Sequence, residues 1–278
     1  MTYRTILVHL HDRRRARRLL DVAVPMAQRM KAHLIGLVVI PPYVVLPGGE
    51  LGGTTMTVDE HREAYKNEMA DLKAAFTEAT RTSASTSEWR EVDANFGTAA
   101  GMIIEHGRVC DLIIASQKDP EWTLSDFLEE PERLAIESGR PVLLVPNKGK
   151  LTAQPKRVTI AWNGRREAAR AVFDGLPLLT GTDEVNVVWV NAGRDSPGSG
   201  DVPGAELGTT LARHGIKCVI SQASADDVST ELLHQCSSFG SELLVMGAYG
   251  HSRFREFVMG GASRGILSSM DRLVLMTH

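Results

Sequence analysis

Apolar and polar positions along the chain follow two rhythms. Short unbroken apolar runs such as Thr5-Ile6-Leu7-Val8 give way to stretches in which apolar residues return every three or four positions. Ala16, Leu19, Leu20, Ala23 and Ala27 fall at i, i+3, i+4, i+7 and i+11, one face of an amphipathic helix. The pattern predicts strands near 4–9, 33–40, 88–94, 111–116 and 141–146 in the first half. In the second half it predicts strands near 157–162, 185–190, 216–221, 242–247 and 272–276. The clearest helices are expected at 13–30, 58–80, 98–108, 165–180, 203–214 and 226–239. Each half reads β-α-β-α-β-α-β-α-β. Continuous apolar strands alternating with amphipathic helices indicate parallel sheets covered on both faces.

The second half repeats the first. At an offset of 152, Val158-Thr159-Ile160 takes the place of the first strand, and Ala168, Ala171, Val172, Gly175 and Leu179 repeat the helix face. At an offset of 131, Asp111-Leu112-Ile113-Ile114-Ala115 matches Glu242-Leu243-Leu244-Val245-Met246, and Pro141–Val145 matches Arg272–Met276. Two registers agreeing on one repeat predict two doubly wound, Rossmann-like α/β domains. We place them at 1–147 and 156–278, joined by the polar, Gly- and Pro-containing linker 147–155. Two Pro- and Gly-rich loops, 41–57 and 191–203, read as surface insertions or lids.

Bulk properties narrow the class. A formal net charge of -3 over 278 residues gives no reason to expect nucleic acid or an anionic membrane as partner. No apolar run approaches the roughly 18 residues needed to span a bilayer. The basic cluster Arg13-Arg14-Arg15 follows the first apolar run, the reverse of a secretory signal. Cys110, Cys218 and Cys236 are odd in number and lack metal-ligand spacing. A reduced cytoplasmic setting is the expectation.

Parallel α/β sheets bind ligands beyond the carboxyl ends of strands, where strand order reverses. In the second half the fourth strand ends Leu244-Val245-Met246 and runs into Gly247-Ala248-Tyr249-Gly250. Nine residues later Gly260-Gly261-Ala262-Ser263 opens the last helix. Glycines there let the backbone approach a phosphate, and the N–H groups of the turn and helix start hold it. Ser263 adds a hydroxyl donor or a cap. The same glycines also suit a tight turn and a flexible start to the helix, so spacing alone leaves both readings open.

The spacing Gly247-x2-Gly250-x9-Gly260 resembles the G-x2-G-x9-G-[S/T] nucleotide motif of the universal stress protein family, and the repeat is similar to the family's tandem members. The resemblance implies a five-stranded parallel sheet in each domain. It also implies an intramolecular pseudo-dimer paired through the last strands, Pro141–Val145 and Arg272–Met276. It further implies that Gly247, Gly250 and Gly260 contact the phosphates and ribose of ATP, with Mg²⁺ carried on the phosphates, and that Val190 lies against adenine. Ala161, Asn163, Met246, Gly261, Ala262 and Ser263 complete the implied site. The chain departs from the motif twice. Gly261 stands where the family has Ser or Thr, and Asn163 stands where it commonly has Asp.

In the first half the same offsets replace the site glycines by Ser116, Asp119, Glu129 and Glu130. Glu132 replaces Ser263, and His11 replaces Asn163. Carboxylates in those places repel phosphate, so this half reads as a structural partner or a binder of another ligand. The run Arg13–Arg18 reads as a solvated helix face. His9 and His11 share a face at a strand end, without a third metal ligand evident nearby. His251 lies beside the glycines and reads as a phosphate contact or an exposed loop residue ahead of a general acid or base. No nucleophile joined to a base and an orienting acid is visible. Three functions remain: an adenine-nucleotide-binding stress protein acting through conformation, a protein partner or homo-oligomer; a scaffold with a vestigial motif; and an enzyme similar to the adenine-nucleotide α-hydrolases.

Overall fold

The computed structural model describes residues 2–40, 58–94, 97–121, 130–192, 204–248 and 261–278. The loops 41–57 and 193–203, Glu129, and the segment carrying Gly250, His251 and Gly260 lie outside the described residues. Ten strands are described: β1 (Thr5–His9), β2 (His33–Ile40), β3 (Ser87–Asp93), β4 (Leu112–Ser116), β5 (Val142–Val145), β6 (Arg157–Ala161), β7 (Glu184–Val190), β8 (Cys218–Ala223), β9 (Leu243–Gly247) and β10 (Leu273–Thr277). The helices among the described residues are α1 (Arg13–Met30), α2 (Val58–Thr80), α3 (Ala99–Gly107), α4 (Pro131–Glu137), α5 (Arg166–Leu179), α6 (Ala205–Arg213), α7 (Val228–Phe239) and α8 (Gly261–Ser269).

Local chemistry sets the helix ends. Asp12 caps α1 by accepting from the Arg14 N–H, and Lys31 ends it in the left-handed region at φ 52°. Asp227 caps α7 by accepting from the Ser229 and Thr230 amides, and Gly240 ends it at φ 68°.

All strands join one sheet, in the order β3-β2-β1-β4-β5-β10-β9-β6-β7-β8. Neighbours are parallel except at the centre, where β5 and β10 run antiparallel with Leu143 opposite Leu275. The two strands that the resemblance pairs therefore lie side by side, each covering an edge the other would leave open. One apolar layer packs α1, α2, α5 and α6 on one face of the sheet. A second packs α3, α4, α7 and α8 on the other. Each layer draws residues from both halves of the chain. Strand order reverses twice, between β1 and β4 and between β6 and β9. Crevices are expected beyond the carboxyl ends of those two strand pairs.

Candidate functional site

Beyond β6 and β9 lies a cleft of about 740 Å³, within the range of small-molecule sites. Of the residues implied by the motif, Ala161, Asn163, Val190, Met246, Gly247, Gly261, Ala262 and Ser263 all line it. Gly250 and Gly260 belong to the undescribed segment. Strand ends supply Ala161, Val190, Met246 and Gly247, while the first turn of α8 supplies Gly261, Ala262 and Ser263. The amides of that turn have no partner within their own helix, and the positive end of the helix dipole favours an anion beside them.

The lining glycines differ in why they are glycine. A Cβ on Gly247 would lie 2.6 Å from both the Ala168 nitrogen and the Glu167 carbonyl carbon. The first turn of α5 runs directly over Gly247, so packing alone demands glycine there. Among the described residues, a Cβ on Gly261 would meet nothing within 4 Å. No described neighbour there excludes the hydroxyl-bearing residue of the motif.

Asn163 accepts the Arg165 N–H at 3.0 Å through Oδ1, which leaves its NH₂ donors for a ligand acceptor. Asn191, in the left-handed region at φ 60°, pins the loop after β8. Its Nδ2 donates to the Ala225 carbonyl at 2.8 Å, and its Oδ1 accepts the Ala225 N–H at 3.1 Å. That loop brings Asp226, Asp227 and Ser229 to the cleft. Hydrogen bonds from the Ser229 and then the Thr230 hydroxyl hold the Asp227 carboxyl down to about 2. With Glu167, whose carboxylate lies 3.3 Å from the Arg166 guanidinium, three carboxylates and one arginine, Arg264, line the described walls. The sequence pattern had not marked Glu167, Asp226, Asp227 or Arg264. The only available signal was the repeat itself, which sets Glu167 against Arg15.

The corresponding place beyond β1 and β4 is built from buried side chains. The His9 and His11 rings stack with centroids 5.0 Å apart, and Ser116 Oγ lies 3.3 Å from His11 Nε2. Arg15 is buried, with Nε 3.4 Å from Asp12 and Nη1 4.0 Å from Asp119. Glu130 is paired with Arg133 at 3.1 Å. The carboxylates expected to repel phosphate thus include two that are matched by arginines. The arginine run is more than a solvated face: Arg15 is interior, Arg13 binds Glu68 and Asp71, and Arg18 reaches the Pro146 and Gly149 carbonyls. Among the described residues no group of three or more His, Cys, Asp or Glu is arranged to hold a metal ion. No described helix is long and apolar enough to cross a membrane.

No protein-family model and no curated protein matches the sequence. Solved structures do match the fold. A universal stress protein from Archaeoglobus fulgidus DSM 4304 superimposes with a TM-score of 0.74 at 14% identity, over 98% of this chain and 95% of that one. A protein provisionally named a universal stress protein, from Pseudomonas aeruginosa UCBPP-PA14, gives 0.53 at 16% identity, over 99% and 93%. A functionally unknown protein from Pseudomonas aeruginosa PAO1 gives 0.53 at 16%, over 99% and 92%. The likeness runs through both halves, and the fold is that of universal stress proteins.

Proposed function

We propose that this chain is a stress-response protein that binds ATP or a related adenine nucleotide in the cleft beyond β6 and β9. It acts through conformation or a protein partner, and any hydrolysis of the nucleotide is slow. The observation that carries this reading is the convergence on one cleft of every described residue that the motif implies. In this reading the chain comprises two units, 1–147 and 156–278, of which only the second binds nucleotide. Adenine lies toward Val190 and the ribose near Asn163. The phosphates lie toward Gly247 and the first turn of α8, bringing Mg²⁺ with them, since the described walls hold no dedicated metal cluster. A cytoplasmic location accords with this role.

The test is the nucleotide content of the purified protein, followed by calorimetry with ATP, AMP and cyclic AMP. Saturable binding of an adenine nucleotide is expected, and no binding at millimolar ligand would sink the proposal.

One observation favours a second reading, in which the motif is vestigial and the chain is a scaffold. Gly247 is required by the packing of α5, so its presence needs no ligand. Gly250→Asp, which copies Asp119 of the first half, separates the two. Nucleotide binding and stress function should both be lost if the cleft works as proposed. Stress function retained in that variant would favour the scaffold.

A further inference from the structure

The described residues that line the cleft all come from the second half, yet one of its walls is held from behind by a side chain of the first half. Gln117 directly follows β4 and is buried. Its own N–H donates to the Val145 carbonyl at 2.8 Å, and its Oε1 accepts the Asn147 N–H at 3.0 Å. These bonds fix the carboxamide within the first half. Its Nε2 then crosses to the second half, donating to the Leu267 carbonyl at 2.8 Å and to the Ser268 carbonyl at 3.3 Å. Both acceptors lie in the last turn of α8, where carbonyls lack partners within the helix.

The same short helix forms the cleft wall. Gly261, Ala262, Ser263 and Arg264 line the cleft at one end of α8, and so does Ser268 near the other. At nine residues the helix is about 13 Å long, and a segment that short moves as a unit. On its flank α8 rests against α7, where a Cβ on Gly265 would lie 2.1 Å from Ser229 Oγ. Contact with Ser229 therefore sets the depth of α8, and Gln117 secures its end. Among the described residues the grip runs one way. At the offset of 131 the counterpart of Gln117 is Ala248, which is buried and has no side chain to reach across.

We propose that Gln117 is a positioning residue for the cleft: by tying the end of α8 to the first half, it makes that half the reference against which the ligand-facing turn is held. The proposal rests on the adenine-nucleotide reading only for the ligand used as probe.

The experiment compares the full-length protein with Gln117→Ala and Gln117→Met. Alanine is the residue that the fold already accepts at position 248. Methionine keeps the volume and loses the donor, so an effect shared by both variants belongs to the hydrogen bonds. Amide hydrogen exchange without ligand should accelerate along α8, including Gly265 and Ile266, whose helical acceptors are the Gly261 and Ala262 carbonyls of the ligand-facing turn, by about fivefold, the response to losing one buried hydrogen bond. Amides of β1 and β4 should be unchanged. Affinity for the tightest-binding nucleotide should fall by about fivefold, at the low end of coupling between sites. Exchange or affinity at wild-type levels in a folded variant would overturn the proposal, as would acceleration confined to Leu267–Ser269. Should the wild type bind no nucleotide, the functional reading fails by itself, and exchange at Gly265 and Ile266 alone decides the role of Gln117.

Discussion

The two ends where strand order reverses are built on one plan and finished in opposite ways. Beyond β1 and β4, the first turn of α1 presents Arg15 inward, and Ser116 ends the neighbouring strand. Beyond β6 and β9, Glu167 stands at the place of Arg15 and Gly247 at the place of Ser116. The first end is filled by stacked histidines and by an arginine between two aspartates. The second is a cleft whose floor lies so close to α5 that no Cβ fits. A fold of this kind supplies the crevice, and a few side chains decide whether it is occupied from within or left for a ligand.

The sharpest way to break the comparison is through the inward residues of the two first turns. Arg15→Ala removes the buried guanidinium from beside Asp12 and Asp119 and should cost about 3 kcal/mol in urea unfolding. Glu167 is also largely buried, but it borders the cleft and its ion-pair partner, Arg166, is exposed, so Glu167→Ala should cost less, about 1 kcal/mol. Equal losses would show that the two ends are not differently built.

The strand-end residues come next. Gly247→Ala should lower stability by about 2 kcal/mol, because the added carbon meets backbone atoms of α5. Ser116→Gly should cost about 1 kcal/mol or less, since it removes only a hydroxyl and its Cβ. Thermal unfolding of both variants checks this, and a tolerated Gly247→Ala would restore the ligand as the reason for glycine.

Gly261→Ser meets no described neighbour within 4 Å of its Cβ and returns the hydroxyl of the motif to the start of α8. Nucleotide affinity measured by calorimetry should rise by about threefold, with stability unchanged.

The smallest effect concerns pH. Asp227 is held at about 2, below its ordinary value of 3.8, by hydroxyl donors of its own helix cap. A depressed carboxylate adds stability that is complete above about pH 4 and is given up as pH falls toward 2. Asn caps a helix without titrating. The stability difference between wild type and Asp227→Asn should therefore be constant from pH 7 to 4 and shrink between 4 and 2. Denaturation curves at three pH values suffice to see it.

Much of this architecture was legible in the sequence. Strand and helix periodicities located α1 at 13–30 and α2 at 58–80, and every strand to within two residues at either end. The inner strands are near-continuous apolar runs because they are buried on both faces, while the edge strands β3 and β8 are mixed in polarity and only partly buried. The seven residues of α4 are too few for a periodic signal, and Pro131 at its start was the only mark. The cleft was legible only where the motif spelled it out. Asp226, Asp227 and Arg264 reach it because the topology brings separate loops together, and no local pattern records that. Gln117 was invisible for a different reason. Its acceptors are backbone carbonyls 150 and 151 positions away, and any residue type would supply those.

The antiparallel seam between β5 and β10 has a consequence for stoichiometry. Two identical subunits meeting at such an edge would carry two identical crevices, both filled or both open, and dilution would separate them. Here eleven residues separate Val145 at the end of β5 from Arg157 at the start of β6. A tether of that length holds the edges together at an effective concentration of about millimolar or more. The pair cannot be diluted apart, and its halves have been free to diverge. A ligand of the cleft is then counted once per chain at every protein concentration, a ratio set by covalent linkage and not by assembly.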